Sequence, residues 1–324
     1  MKESDRKIVT LIGKSGSFTE VVAKIPFFAQ SYAPLYISGE TGVGKDILAR
    51  EVHAHSPRKD GPFTLVQCGT LPDHLAENEL FGHAKGAYTD ATVAKNGLIA
   101  ETEGGTLFLD EVDTLSPASQ IKLLHFIETH EYYSLGSPKM QTANVRIISA
   151  SNVDLLKQVE LHQFRSDLYY RLHVLVASIP PLRERVDDIP LLATHFLEKY
   201  GYEYHRLPLT LDKTVIDKMM AYSWPGNIRE LAGVMECAVL MTTASILNAE
   251  DIPISQAREV RHIGSLKEAV TCFEREYIIS ILNDHYGNVS HCARVAGVQR
   301  QAFQQLLRKH RIDRTIYQKQ TPTP

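Results

Sequence analysis

The sequence predicts an α/β fold built on a parallel sheet, followed by a helical subdomain and a small separate all-α domain. Three observations predict it. Short apolar runs alternate with helix-spaced stretches as far as about Ile189, the pattern of a parallel sheet with crossover helices. A glycine loop, Gly39-Glu40-Thr41-Gly42-Val43-Gly44-Lys45-Asp46, joins the first of these runs to a helix-spaced segment. Finally, the end of the chain is basic and reads as two short helices about a glycine.

The sheet is expected from five runs, Leu35–Ser38, Phe63–Gln67, 106–109, Arg146–Ser151 and 174–179, because buried parallel strands read as continuous apolar segments. From Ile189 to about Met241 the spacing is helical throughout. Residues 245–264 mix small and polar side chains with Pro253 and suit a linker. Residues 266–283 then place Leu266, Val270, Phe273, Tyr277, Ile281 and Leu282 on one helical face. The predicted boundaries are a short extension at 1–9, the α/β subdomain at 10–189 and the helical subdomain at 190–250. A linker at 251–264, the all-α domain at 265–313 and a disordered tail at 314–324 complete the chain. No internal repeat is visible.

Composition narrows the class. The chain has 324 residues, 44% hydrophobic and 23% charged, as in ordinary soluble globular proteins. No apolar run approaches the ~20 residues needed to span a membrane, and the N-terminus lacks the apolar stretch of a signal peptide. Cys68, Cys237, Cys272 and Cys292 are far apart with no C-x-x-C spacing, which points to reduced thiols in the cytoplasm. The net charge of −3 hides an asymmetry. From Asn288 to Pro324 there are seven Lys/Arg and one acid, so the preceding residues carry 28 bases and 37 acids, or −9. An acidic body with a basic end implies a polyanion partner at the C-terminus.

The glycine loop carries the first chemistry. Gly39, Gly42 and Gly44 let backbone N–H groups turn toward phosphate oxygens, and Lys45 supplies a cation. The usual loop ends in a hydroxyl residue that helps hold magnesium; here Asp46 stands in that place. Downstream, the 104–111 segment Gly-Gly-Thr-Leu-Phe-Leu-Asp-Glu delivers two adjacent carboxylates to the end of a buried strand, where ligands bind in open α/β sheets. Asp110 suits Mg2+, which prefers carboxylate and water oxygens. Glu111 suits orienting and deprotonating an attacking water. Together they imply a nucleoside triphosphatase.

The blocks GETGVGKD (39–46), ELFGHAKGAYTDA (79–91), GGTLFLDEVD (104–113), FRSDLYYRL (164–172), PPLRERVDDI (180–189) and WPGNIREL (224–231) occur in the order found in bacterial enhancer-binding proteins. Over about residues 10–312 the chain resembles that family, the AAA+ ATPases that activate transcription by sigma-54 RNA polymerase. The resemblance implies an AAA+ P-loop NTPase sheet with a helical lid, ATP and Mg2+ as ligands, and a ring oligomer, dimer to hexamer. An acidic residue after the loop lysine is usual there, so Asp46 fits. The resemblance implies that Asn152 senses the γ-phosphate and that Arg165 and Arg171 act in trans on a neighbour's nucleotide. It also implies that Arg229 reports nucleotide state from the lid.

In the family the loop tip G-A-F-T-G-A contacts sigma-54. Here Gly86, Ala87, Tyr88, Thr89, Asp90 and Ala91 stand in its place, with Asp90 adding a charge where a glycine is usual. Ala84 replaces a frequent glutamate. Gln67 occupies the position of the asparagine that couples the catalytic glutamate to nucleotide state. Two functions follow. The chain is an ATP-driven activator of sigma-54 polymerase, or a DNA-binding regulator on the same fold that no longer engages sigma-54. A protein-unfolding or clamp-loading AAA+ enzyme would explain the nucleotide motifs but not the loop or the basic end.

That basic end has helix-turn-helix spacing. Ser290 can cap the first helix, Gly297 permits the turn, and Val298, Phe303, Leu306 and Leu307 pack the second. It resembles the Fis-type domain of the same family, which implies enhancer DNA as a partner. Gln299, Arg300, Gln301, Gln304 and Arg308 are the candidates for base contact, Lys309 and Arg311 for phosphate. About ten residues precede the ATPase-like region, so control is expected from a separate protein acting in trans, from expression level or from oligomerisation.

Overall fold

The computed structural model describes residues 11–70, 73–87, 93–206, 209–242, 244–254 and, with short interruptions, 274–312. The chain divides after Ala257 into two compact units.

The first unit is built on a five-stranded parallel sheet. Its strands are Leu35–Ser38 (β1), Phe63–Gln67 (β2), Thr106–Asp110 (β3), Arg146–Ser151 (β4) and Leu175–Ser178 (β5), in the order β2-β3-β4-β1-β5. All five expected runs are strands. The third is one residue longer than expected, because Gln67 of β2 pairs in register with Asp110. Side chains alternate between the faces of the sheet, as the two-residue period of a strand dictates. Tyr36, Leu107, Leu109 and Ile147 enter one buried cluster; Leu35, Ile37, Phe108, Ile148 and Ala150 enter the other.

Helices cover both faces. The Lys45–Ala54 helix starts at Gly44, whose φ of 98° only glycine adopts freely. Asp46 lies in its first turn, where the helix dipole favours a negative charge. Arg146, buried at the start of β4, donates to the carbonyls of Phe28 and Ala29 and locks the Ile25–Gln30 helix to the sheet. Burial pushes its guanidinium down to about 10.

The lid consists of helices Ile189–Glu203, Lys213–Met220 and Asn227–Met241 around a core that includes Trp224, Leu231 and Met235. The stretch is not wholly helical: Thr210–Leu211 pairs in parallel with Ile246–Leu247. The lid's core extends to Ile252, inside the segment expected as linker; residues 255–264 of that segment lie outside the described residues.

In the second unit, helices Val289–Val295 and Arg300–Lys309 pack around Phe303, Leu307 and Cys292, with Gly297 in the turn at φ 69°. Three local expectations are corrected. The cap is Asn288, whose side chain accepts from the His291 N–H, while Ser290 lies within the helix. Val298 is exposed. On the preceding helical stretch Ile278 is buried while Tyr277 is largely exposed, because the tertiary packing selects a face rotated from the one the spacing chose. Of that stretch's expected apolar residues, Leu266, Val270 and Phe273 lie outside the described residues. No helix among the described residues is long and apolar enough to cross a membrane. Cys68, Cys237 and Cys292 are free thiols; Cys272 is outside the described residues.

Candidate nucleotide site

A cavity of about 90 Å³ opens at the C-terminal ends of β1, β3 and β4. The glycine loop contributes Thr41, Gly42, Gly44, Lys45 and Asp46. Asp110 and Glu111 come from the end of β3, Gln67 from the end of β2, Asn152 from just past β4, and Arg229 from the lid. Residues far apart in sequence thus converge in the cluster the motifs predicted. A larger cavity, about 610 Å³, borders Gly39, Glu40 and Arg183, but its wall is the β5 edge and it holds neither Lys45 nor Asp110.

Lys45 is buried, and its Nζ donates to the carbonyls of Gly39 (2.8 Å) and Glu40 (3.2 Å). Burial lowers its pKa, opposed by Asp110, Glu111 and Asp113. A phosphate oxygen in the loop would replace those neutral carbonyl partners with an anionic one and favour the charged amine. Asn152 donates to the Thr41 hydroxyl at 3.0 Å, tying the end of β4 to the glycine loop.

Asp110 accepts from the Glu111 N–H at 3.0 Å. Burial raises its pKa despite nearby Lys45. Glu111 adopts a left-handed φ of 55°, uncommon for a residue with a Cβ, which turns the chain sharply as it leaves the strand. Its carboxylate lies against Gly69: a Cβ built there would sit 2.2 Å from Glu111 Oε2. Among the described residues no hydrogen bond joins Glu111 to Gln67. Asp113 accepts from the Ser151 hydroxyl at 2.6 Å.

The charge balance bears on a metal. Four carboxylates (Asp46, Asp110, Glu111, Asp113) face two cations (Lys45, Arg229) in this region. A polyphosphate entering a site with that surplus of negative charge needs a further cation. Among the described residues no group of three or more His, Cys, Asp or Glu side chains is arranged to hold a metal ion. Mg2+ characteristically uses one or two carboxylates, waters and substrate phosphates, so Asp110 fits that pattern.

Arg165 and Arg171 line no part of this cavity. Arg165 forms a bidentate pair with Asp167, and Arg171 pairs with Glu128 at 2.8 Å; both arginines are exposed. Gly86, at φ 82°, and Ala87 are described, whereas Tyr88, Thr89, Asp90 and Ala91 lie outside the described residues. The Ala84 N–H donates to the Leu135 carbonyl and the Leu135 N–H to the Gly82 carbonyl, which seats the loop's base beside the Glu131–Tyr133 hairpin. Of the candidates in the second unit, Gln299, Arg300, Gln301 and Arg308 are exposed, Gln304 is half-buried, and Lys309 pairs with Glu274 at 2.6 Å.

Sequence reasoning missed Arg183, Arg185 and Asn227. Each lies inside a quoted block, yet no spacing rule says that they reach the glycine loop. Arg183 clasps Glu40 through both terminal nitrogens (2.7 and 2.8 Å), and buried Arg185 donates to the Val43 carbonyl at 3.1 Å. Asn227 donates to Glu40 and to the Thr41 carbonyl.

Residues 11–178 match the Sigma-54 interaction domain, and residues 183–266 match the AAA+ ATPase lid domain. The transcriptional regulatory protein GlrR of Escherichia coli K12 is 39% identical over 305 residues, covering 94% of this chain and 68% of the relative. The regulatory protein AtoC of the same strain is 38% identical over 313 residues, with the same two coverages. Among solved structures, NtrX from Brucella abortus in complex with ADP is 31% identical with a TM-score of 0.72, covering 93% of this chain and 69% of that one. Its complex with ATP gives 30% and 0.72. With its parallel-sheet P-loop NTPase fold, its helical lid and these relatives, the chain belongs to the family of sigma-54 activators.

Proposed function

We propose that the chain is an ATPase that drives transcription: it binds ATP at the Lys45 loop, hydrolyses it within a ring of subunits, and uses the energy to open promoter DNA held by sigma-54 RNA polymerase. The observation that carries the reading is the convergence of Lys45, Asp110, Glu111, Asn152 and Arg229 on one cavity. The match to a sigma-54 interaction domain names the machine that such an ATPase would serve.

In this reading the loop amides and Lys45 hold the phosphates. Asp110 would hold Mg2+, which would supply positive charge to the phosphoryl oxygens. Glu111 orients and deprotonates the attacking water, and Asn152, already bonded to Thr41, registers the γ-phosphate. Arg165 and Arg171 lie outside their own cavity and exposed, as residues that serve a neighbouring subunit must. An arginine supplied in trans is worth roughly 10³-fold or more in rate. The 86–91 loop would meet sigma-54, with Asp90 as the unusual element at its tip.

The second unit supports binding to enhancer DNA. Its charge of +6 from Asn288 onward is one sign throughout but for Asp313. Exposed Gln299, Arg300, Gln301 and Arg308 form a face suited to base edges and phosphates.

Mixed subunits test the shared site. Glu111→Gln leaves a subunit its arginines but not its own water activation; Arg171→Ala leaves the site but not the arginine. If the arginine acts in trans, mixtures of the two inactive variants regain ATP turnover above either alone. Mixtures as inactive as their parents would contradict the ring.

A further inference from the structure

The glycine loop is gripped from the lid side at four successive residues. Glu40 takes Arg183 and Asn227, the Thr41 carbonyl takes Asn227, the Gly42 carbonyl takes the N–H groups of Ile228 and Arg229, and the Val43 carbonyl takes Arg185. Asn227 sits at the centre. Its Nδ2 donates to Glu40 Oε2 (3.1 Å) and to the Thr41 carbonyl (3.0 Å), and its Oδ1 accepts from the Leu182 N–H (2.8 Å). The side chain is fully buried, both of its donor hydrogens are used, and its oxygen accepts one bond.

The turn that presents Asn227 is shaped for that purpose. Trp224 and Asn227 both have left-handed φ values, 50° and 53°, which few residues with a Cβ adopt. The surroundings enforce the shape. Trp224 is buried and donates to the Met219 carbonyl, and Glu230 accepts from the Gly226 N–H and the Tyr222 hydroxyl. Backbone strain of this kind persists where the surroundings over-determine it, and such places cluster at ligand clamps. Gly42 completes the close approach, since a Cβ there would lie 2.4 Å from the Gly226 carbonyl oxygen.

We propose that Asn227, acting with Arg183 through Glu40, is a positioning junction that locks the lid onto the glycine loop and sets how long nucleotide is retained. Neither residue lines the 90 Å³ cavity that holds Lys45 and Asp110, so the effect runs through the loop's position. The inference rests on nucleotide binding at the Lys45 loop.

The test is release of a fluorescent ADP analogue from the full chain, chased with excess ADP. Asn227→Asp keeps the shape, removes both donations and sets a carboxylate against Glu40. It releases ADP at least roughly tenfold faster than wild type, the effect of losing one well-made interaction. Arg183→Met, altered at a half-exposed ion pair, speeds release roughly two- to fivefold. The double variant stays close to Asn227→Asp alone, because both act through the same carboxylate. Melting without nucleotide checks that the variants are folded at the assay temperature, where a merely structural role would leave release unchanged. Wild-type release from folded Asn227→Asp overturns the proposal; if that variant does not fold, wild-type release from Arg183→Met does so. A wild-type chain that binds no adenine nucleotide removes the ATPase reading and this inference with it, whereas fast release confined to the variants upholds both.

Discussion

Replacing Asp110 by Asn makes the apo protein more stable and the enzyme inactive. Asp110 is half-buried at the end of β3, and burial raises its pKa even though Lys45 is close by; the charged carboxylate is therefore a burden on the empty fold. Asp46, Glu111 and Asp113 crowd the same region, so one negative charge fewer relieves repulsion. Asn keeps the shape and can still accept the Glu111 N–H bond. Changes of this kind give about 1 kcal/mol, the usual gain when an active-site residue is exchanged for stability. For a domain of the first unit's size that raises Tm by roughly 2–4 °C. Meanwhile ATP turnover falls by more than roughly 100-fold, because the carboxylate that would hold Mg2+ is gone. The pH dependence fixes the sign. A raised carboxyl pKa means the native state takes up its proton before the unfolded chain does, so wild-type stability gains on the variant as pH falls toward the carboxylate range. The gap in Tm between variant and wild type is widest near neutrality and narrows in acid. Scanning calorimetry without nucleotide, with a phosphate-release assay, measures both. A lower Tm for Asp110→Asn near neutral pH, or wild-type turnover with Mg2+, would refute the reasoning.

Other predictions follow from single contacts. Gly42→Ala sets a Cβ 2.4 Å from the Gly226 carbonyl oxygen at a φ of 81°, whereas at Gly44 the nearest atom would be Ile47 Cδ1 at 3.6 Å. Two hydrogen bonds at about 1 kcal/mol each and a left-handed penalty of similar size give roughly 100-fold weaker nucleotide binding for Gly42→Ala. Gly44→Ala shows the smaller loss of the backbone penalty alone; equal losses by titration would discount the lid contact. Burial lowers the pKa of His53, which meets the Thr106 hydroxyl at 2.9 Å. Its contribution to stability is complete above the ordinary value of 6.5 and is lost as pH falls below it. His53→Gln should therefore flatten the decline of Tm as pH falls below about 6.5; an unchanged slope would contradict this. Arg300→Ala weakens binding to the specific duplex by about 1–3 kcal/mol and to random duplex by less. Equal losses on both would make Arg300 a phosphate contact.

Much of the sheet was legible in the sequence because parallel strands buried on both faces leave uninterrupted apolar runs. Leu35–Ser38, Phe63–Gln67 and Arg146–Ser151 were read to the residue. Asp110 was read as lying just past its strand, since a charged residue gives no apolar signal; its pairing with Gln67 is a tertiary fact. Lys45, Asp110 and Glu111 could be named because each lies in a motif whose residue types match a chemical task, whereas Gln67, Asn152 and Arg229 were named from the resemblance to enhancer-binding proteins. Asn227, Arg183 and Arg185 escaped because their task is to hold the loop's backbone, and that contact joins residues more than 140 positions apart. Asn288 and Ser290 are equally good caps by type, so only the helix start, fixed by the burial of Val289 and Cys292, decided between them.

The central claim is tested most directly by an open-complex assay with purified sigma-54 RNA polymerase, promoter DNA and this chain. The account predicts open complexes that form with hydrolysable ATP and disappear with the Glu111→Gln variant. Robust ATP turnover without open complexes on any sigma-54 promoter would contradict it, and restoration by Asp90→Gly would trace the failure to the tip of the 86–91 loop.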